Sequence, residues 1–215
     1  AEYGLNEAQQ RAVDYRGQLI IKAEPGTGKT HTLTHRLATL VKAGDAKPGE
    51  VLAITFTTKA AEEMRERIEQ LVGPEHAEQM AIQTFHAFGA AFLREQEFFF
   101  GRDWDFRIVS IADDAALLDD FKNRCGEKIS HATLERISFL KAQGYTPDLV
   151  PKEIWETSPQ NLRLIFEHYE QFLMDENAVD FDDLINLTVR LLSQNPELRR
   201  EYTHHFPVIS VDEFQ

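Results

Sequence analysis

The octapeptide Ala23-Glu24-Pro25-Gly26-Thr27-Gly28-Lys29-Thr30 constrains this chain more than any other stretch. It stands between an apolar run, Leu19-Ile20-Ile21, and a run at helical spacing, Leu33, Leu37, Leu40 and Val41. A strand, a glycine-bearing loop and a helix in that order form a phosphate-binding loop. Gly26 and Gly28 permit backbone angles and close approaches that a Cβ forbids. The loop amides and the positive end of the following helix surround a polyphosphate. Lys29 then reaches the β- and γ-phosphates, and the Thr30 hydroxyl is a ligand for Mg²⁺. A plain Gly-Pro turn needs neither Lys29 nor Thr30. The chain is therefore expected to bind a nucleoside triphosphate, with Glu24, Pro25, Gly26, Thr27, Gly28, Lys29, Thr30 and His31 as the cofactor-binding stretch.

The complementary half of such a site stands far away in sequence. Val208-Ile209-Ser210-Val211 reads as a buried strand, and Asp212-Glu213-Phe214-Gln215 follows at once. A carboxylate at the C-terminal edge of a parallel strand holds Mg²⁺ beside a phosphate-binding loop, directly or through water. That role suits Asp212. Glu213 suits the base or orienting group for an attacking water, and Gln215 a sensor of the γ-phosphate. The catalytic set is thus Lys29, Asp212, Glu213 and Gln215, with Thr30 and Asp212 as the metal ligands.

Composition sets the outer bounds. A chain of 215 residues, 42% hydrophobic and 27% charged, has the make-up of an ordinary globular protein. No apolar run approaches the ~20 residues that span a bilayer, and no secretory leader opens the chain. A single cysteine, Cys125, excludes an internal disulfide framework and fits a reducing cytoplasm. The eight histidines include no pair at zinc spacing. A net charge of −13 argues against a chain that is basic throughout and clamps nucleic acid. The acid is uneven, however: Lys and Arg number 10 against 12 Asp and Glu in residues 1–89, but 10 against 17 in 90–179. Any DNA contact is expected to use local features of the first segment.

Residues 1–89 read as α/β, with strands at Leu19–Lys22, Val51–Thr55 and Met80–Gln83. Ala60, Ala61, Met64, Ile68 and Leu71 mark a one-faced helix after the second strand. Strands alternating with helices imply a parallel sheet covered on both sides. From about Phe92 to Val179 the patterns are helical. Ser110 to Asp113 resembles a capping box, and Leu134, Ile137 and Leu140 mark a helix stopped near Gly144 and Pro147. Leu162, Ile165, Phe166, Tyr169, Phe172 and Leu173 form an amphipathic stripe, and Leu184 to Leu192 a further helix. Phe98-Phe99-Phe100 is read as packing rather than base stacking.

Four more segments add chemistry. Leu5 to Val13 carries Gln9, whose amide matches the two hydrogen-bonding edges of adenine. Thr55-Phe56-Thr57-Thr58-Lys59-Ala60-Ala61 combines hydroxyls, an aromatic ring and a lysine, groups that hold a single strand by phosphate bonds and stacking. Gln83-Thr84-Phe85-His86-Ala87-Phe88 repeats that mixture. Asp180-Phe181-Asp182-Asp183-Leu184 precedes the last helix. Taken singly, each has a bland alternative: Phe56 and Phe85 as core residues, His86 as a helix cap, Asp182 and Asp183 as N-terminal helix charge.

In this order, from Leu5 to Gln215, the segments resemble the N-terminal half of the UvrD/Rep/PcrA family of superfamily 1 DNA helicases. The resemblance is strong at the motifs and weak in the helical segment between them. It implies an α/β, RecA-like phosphate-binding-loop sheet covered by helices, with an all-helical inserted subdomain. Residues 1–91 and 180–215 then correspond to subdomain 1A, and 92–179 to subdomain 1B. Gln9 falls at the adenine-contacting position, and Asp180 to Leu184 at a family motif preceding the Asp212-Glu213 motif. Phe56, Thr57, Thr58, Lys59, Thr84, Phe85 and His86 fall on the family's DNA track. The implied cofactors are ATP and Mg²⁺; the implied partners are single-stranded DNA or a single-strand/duplex junction, and the remaining helicase domains. Two positions depart from the family's pattern: Glu24-Pro25 replace small residues, and Thr58 stands where Asn is usual. No third motif or second RecA-like domain follows Gln215, so the chain reads as a fragment that binds nucleotide weakly and turns it over very slowly, if at all. Two other readings stay open: a phosphate-loop ATPase with no nucleic-acid role, and a non-catalytic DNA- or protein-binding module.

Overall fold

The computed structural model describes residues 4–22, 24 and 26–213. They divide into two compact units, Ala1–Phe88 with Glu197–Gln215, and Gly89–Pro196. The first unit opens with α1 (Glu7–Asp14). Its cap is reciprocal, since the Asn6 side chain accepts from the Gln9 amide and the Gln9 side chain from the Asn6 amide. Helix α2 (Lys29–Lys42) starts at Gly28 and buries Leu37, Ala38 and Leu40. Strand β1 (Val51–Thr55) is buried at all five positions, as a central parallel strand must be. Thr57 caps α3 (Thr58–Val72), which buries Ala61, Met64 and Ile68 on one stripe and stops at Gly73, where φ is 86°. A short α4 (Pro74–Gln79), β2 (Ala81–Thr84) and α5 (Phe85–Arg94) follow.

The second unit holds β3 (Phe98–Phe99), β4 (Arg102–Asp103), β5 (Arg107–Ile108), α6 (Ala115–Cys125) and α7 (His131–Ala142). It continues through α8 (Lys152–Glu156), α9 (Leu162–Asp175), β6 (Ala178–Val179) and α10 (Phe181–Gln194). The chain returns to the first unit along α11 (Pro196–His205) and β7 (Val208–Val211). The second unit is thus helical apart from two pairs of two-residue strands. Its core gathers Phe121, Leu134, Ile137, Leu140, Ile165 and Phe166, and the α9 stripe expected from the sequence is buried in full.

In the first unit the sheet runs β2-β1-β7, all parallel, from Leu52↔Ala81 to Thr55↔Thr84 and from Val51↔Val208 to Ile54↔Val211. One face packs Val51, Ala53 and Ile82 against Leu37 of α2 and Met64 and Ile68 of α3. The parallel register brings Thr55, Thr84 and Val211 to a single C-terminal edge, where open α/β sheets carry their ligand-binding loops.

Three expectations need correction. Leu19–Lys22 forms no strand, and Leu19 and Ile20 are exposed. β-Branched composition favours a strand only where a neighbour completes the ladder, and no described strand pairs with this segment. Strand β7 is only half-buried, with Ile209 exposed. The helix after Ser110 begins later than the capping-box pattern implies: Asp114 caps α6, and Ser110 bonds Asp113 inside the preceding turn.

Candidate nucleotide site and sheet edge

Two loops separated by most of the chain meet at the start of α2. The Thr30 hydroxyl donates to Asp212 Oδ2 at 2.7 Å. Asp212 is buried, and its amide donates to the Ile54 carbonyl at 2.9 Å, which extends the β1–β7 ladder one residue past the strand. Asp212 therefore inherits its position from the sheet. Glu213 follows in a left-handed conformation, φ 59°, and its amide donates to Asp212 Oδ1 at 3.1 Å. A non-glycine residue is strained there, and such strain collects at functional sites.

The phosphate loop is held by its own polar groups. Thr27 Oγ1 donates to the Glu24 carbonyl at 2.6 Å, and the Thr27 amide to the same oxygen at 3.3 Å. Gly26 and Gly28 have φ of 77° and 85°, a region that suits glycine. Gln9 lies directly against this turn. Its Nε2 donates to the Thr27 carbonyl at 3.1 Å, and a Cβ built on Gly28 would stand 3.0 Å from the same nitrogen. His31 meets His35 edge to face, with centroids 4.3 Å apart. Burial, then His31 and Lys42, lower the His35 pKa, so its ring stays neutral near pH 7. Ala23, Pro25, Phe214 and Gln215 lie outside the described residues.

Next along the same edge come the segments assigned to DNA. Phe56 follows β1 and is 67% exposed, so it is no core residue. It meets the half-buried Phe85 edge to face at 5.9 Å. Thr57 and Thr84 each accept a helix N-terminal amide, from Ala60 and Ala87 respectively, both at 3.1 Å. Their hydroxyls thus serve as helix caps. Thr58, Lys59 and His86 are exposed, and Lys59 lies 3.9 Å from Glu63 one turn on.

Asp180 and Asp183 form a different structure. They make a reciprocal cap on α10, and Lys141 Nζ reaches Asp180 Oδ2 and Asp183 Oδ1 at 2.8 Å each and Glu170 Oε1 at 2.7 Å. Tyr169 donates to Asp180 at 3.0 Å, and Arg102 lies 3.5 Å from Asp183. Burial opposes the Lys141 charge, but Asp183, Asp180 and Glu170 outweigh it and raise the lysine pKa. Burial pushes Asp183 up to about 7, against the pull of Lys141. Asp182 faces outward and accepts from Ser138 at 2.9 Å. Sequence reasoning missed Lys141, although it extends the Leu134, Ile137, Leu140 stripe on α7 and a charge on an apolar stripe signals a buried pair. Cys125 is buried in the same unit, and burial raises its thiol pKa, which fits an inert role.

No group of three or more His, Cys, Asp or Glu side chains that could hold a metal occurs among the described residues. Thr30 and Asp212 still fit Mg²⁺, which takes one or two hard protein oxygens and completes its shell with waters and phosphate oxygens. No helix among the described residues is long and apolar enough to cross a membrane.

A parallel sheet with a glycine-bearing loop and an acidic strand end meeting at one edge defines a RecA-like phosphate-binding-loop domain. The chain belongs to the family described as the UvrD/REP helicase N-terminal domain, which it matches over residues 5–215. It is 38% identical over 219 residues to the ATP-dependent DNA helicase PcrA of Staphylococcus aureus strain Mu50, and 37% identical over 218 residues to PcrA of Staphylococcus epidermidis strain RP62A. Each alignment covers 98% of this chain but only 30% of the relative, so the chain spans under a third of those proteins.

Proposed function

We propose that this chain is the part of an ATP-dependent DNA helicase that binds Mg²⁺-ATP and contacts single-stranded DNA. The observation that carries the nucleotide reading is the 2.7 Å bond between Thr30 and Asp212, 182 positions apart in the chain. It joins the two loops that a phosphate-loop ATPase uses. Lys29, first residue of α2, faces the β- and γ-phosphates, and the loop amides cradle them. Thr30 and Asp212 hold Mg²⁺, which when bound neutralises charge on the β- and γ-oxygens. Glu213 orients the attacking water or takes its proton, and Gln215 senses the γ-phosphate. Gln9 and His31 border the nucleotide on the base side. Phe56, Phe85 and the polar groups beside them receive a single strand, Phe56 by stacking.

Subdomain 1A comprises the α/β part and 1B the helical insertion, in a longer cytoplasmic protein. Closure on ATP and transition-state neutralisation by cations from a further domain fall to the rest of that protein. This chain alone turns ATP over very slowly. Titration with a fluorescent ATP analogue tests the site. Lys29→Ala leaves the loop backbone intact and should weaken Mg²⁺-ATP binding by ~1.5–3 kcal/mol, the size of a lost charge-assisted bond. Unchanged affinity would remove Lys29 from the site.

A further inference from the structure

Helix α1 is eight residues long, too short to persist alone, and its last carbonyls have no partners within the helix. Two arginines supply them. Arg36, on α2, donates through Nη1 to the Ala12 carbonyl at 2.8 Å and to the Tyr15 carbonyl, and through Nη2 to the Gly17 carbonyl at 3.0 Å. Arg16 donates to the Val13 and Asp14 carbonyls at 3.2 and 2.9 Å and pairs with Asp45 at 2.7 Å. A planar guanidinium spans several acceptors at once, which a single ammonium does not. Arg36 lies two turns, about 10 Å, along α2 from Lys29. At the other end of α1, Gln9 donates to Thr27 of the phosphate loop. The element carrying Gln9 and the element carrying Lys29 are therefore pinned together at both ends.

From this double attachment we infer that Arg36 is a positioning residue for nucleobase recognition: it holds α1 in register with α2, so that Gln9 stands at a set distance from the phosphates. The inference rests on the nucleotide reading above and deepens it. Gln9 needs such a fixture, because the Asn6 amide takes one lone pair of its Oε1 and Thr27 one N–H of its Nε2, which leaves a single donor and a single acceptor in fixed directions for a base. To read a base it uses that remaining N–H and lone pair without α1 moving. Hydrogen-bond recognition requires placement within about 0.5 Å, and supporting residues supply it. Phosphate binding needs no such help, because Lys29, Thr30 and the loop amides belong to α2 and its own N-terminal turn.

The experiment is competition against a fluorescent ATP analogue by ATP, GTP and inorganic tripolyphosphate, each with Mg²⁺. Wild type, Gln9→Ala, Arg36→Lys and Arg36→Ala are compared. Wild type should prefer ATP to both competitors. Arg36→Lys keeps length and charge, and the buried Leu5 and Val13 still anchor α1 and the residue before its cap, so this variant should fold. Its preference for ATP over GTP should fall by about tenfold, the scale of losing one or two hydrogen bonds to the base, with tripolyphosphate affinity unchanged. Arg36→Ala should do the same; if it does not fold, Arg36→Lys decides. A preference lost in Gln9→Ala but kept in Arg36→Lys would overturn the role of Arg36 and leave the nucleotide reading standing. Equal weakening towards all three competitors would make Arg36 a support of the loop as a whole and also overturn it. A wild type that binds ATP no better than tripolyphosphate would overturn base recognition and Arg36 together, with the phosphate site intact. A wild type that binds none of them would overturn both readings.

Discussion

Gly28 shows how two demands can fall on one residue. Its φ of 85° alone disfavours a side chain by about 1–2 kcal/mol. The approach of Gln9 Nε2 adds a steric demand that Gly26 does not share, since beyond its chain neighbours no atom of the described residues stands within 4 Å of a Cβ at Gly26. Gly26→Ala should therefore carry only the backbone penalty. Gly28→Ala should carry that and also displace the Gln9 amide from Thr27. In a Gln9→Ala background the displaced contact is already gone, so urea unfolding should show a smaller loss for Gly28→Ala than in wild type. Additive losses would mean that the Gln9 side chain swings aside freely. The need for a glycine was legible in the sequence; the second reason for it was not, because Gln9 and Gly28 meet only after α1 folds back onto α2.

At the level of elements, Asp182 and Asp183 read from the sequence as charge at a helix N-terminus, whereas the structure puts Asp183, with Asp180, on the acidic side of a buried ion cluster joining α7, α9 and α10. The stripe on α7 marks Lys141 as a candidate for a buried pair, but its partners on α9 and α10 were not legible, because they meet it only in the packed fold. Removing it leaves Asp180, Asp183 and Glu170 facing one another, and Lys141→Ala should destabilise the protein by roughly 3–5 kcal/mol in denaturant titration, as broken buried pairs do. Asp183 gives the cluster a pH signature. Its folded pKa is raised to about 7, so between the ordinary carboxylate range and 7 the folded state binds the extra proton. Stability from this group is then present at low pH and declines as pH rises towards 7. The thermal penalty of Asp183→Asn should accordingly change with pH, and wild type should lose ground to the variant between pH 5 and 7.5. A constant difference would mean that Asp183 stays ionised throughout. Elements with plain periodicity, such as α3 and α9, were legible because burial alone dictates their pattern.

Across the whole molecule, the deciding quantity is what the sheet edge gathers. Strand composition at 51–55 and 208–211 was readable, whereas 19–22 has a comparable apolar run and no ladder partner among the described strands. Strand pairing is a property of the assembled sheet, and composition does not report it. The parallel register aligns the chain after β1 with the chain after β2, which puts Phe56 beside Phe85 and both on the edge that carries Asp212. A net charge of −13 gives DNA little long-range attraction, so the proposed DNA reading rests on stacking and a few phosphate contacts. Phe56, two-thirds exposed, is free of the core, and under the proposed DNA reading its stacking would contribute on the order of 1–3 kcal/mol per base, indifferent to sequence. Since Phe56 packs no core, Phe56→Ala should leave the melting temperature nearly unchanged. If the whole protein has the proposed helicase activity, the substitution should lower its DNA-stimulated ATPase activity far more than the activity without DNA. In the isolated chain it should weaken single-strand binding equally for homopolymers of any base, and that binding should fall as salt rises. Equal loss of basal and stimulated activity would assign Phe56 to the nucleotide site through β1, and the aromatic pair would then be a support for Asp212 and no platform for DNA.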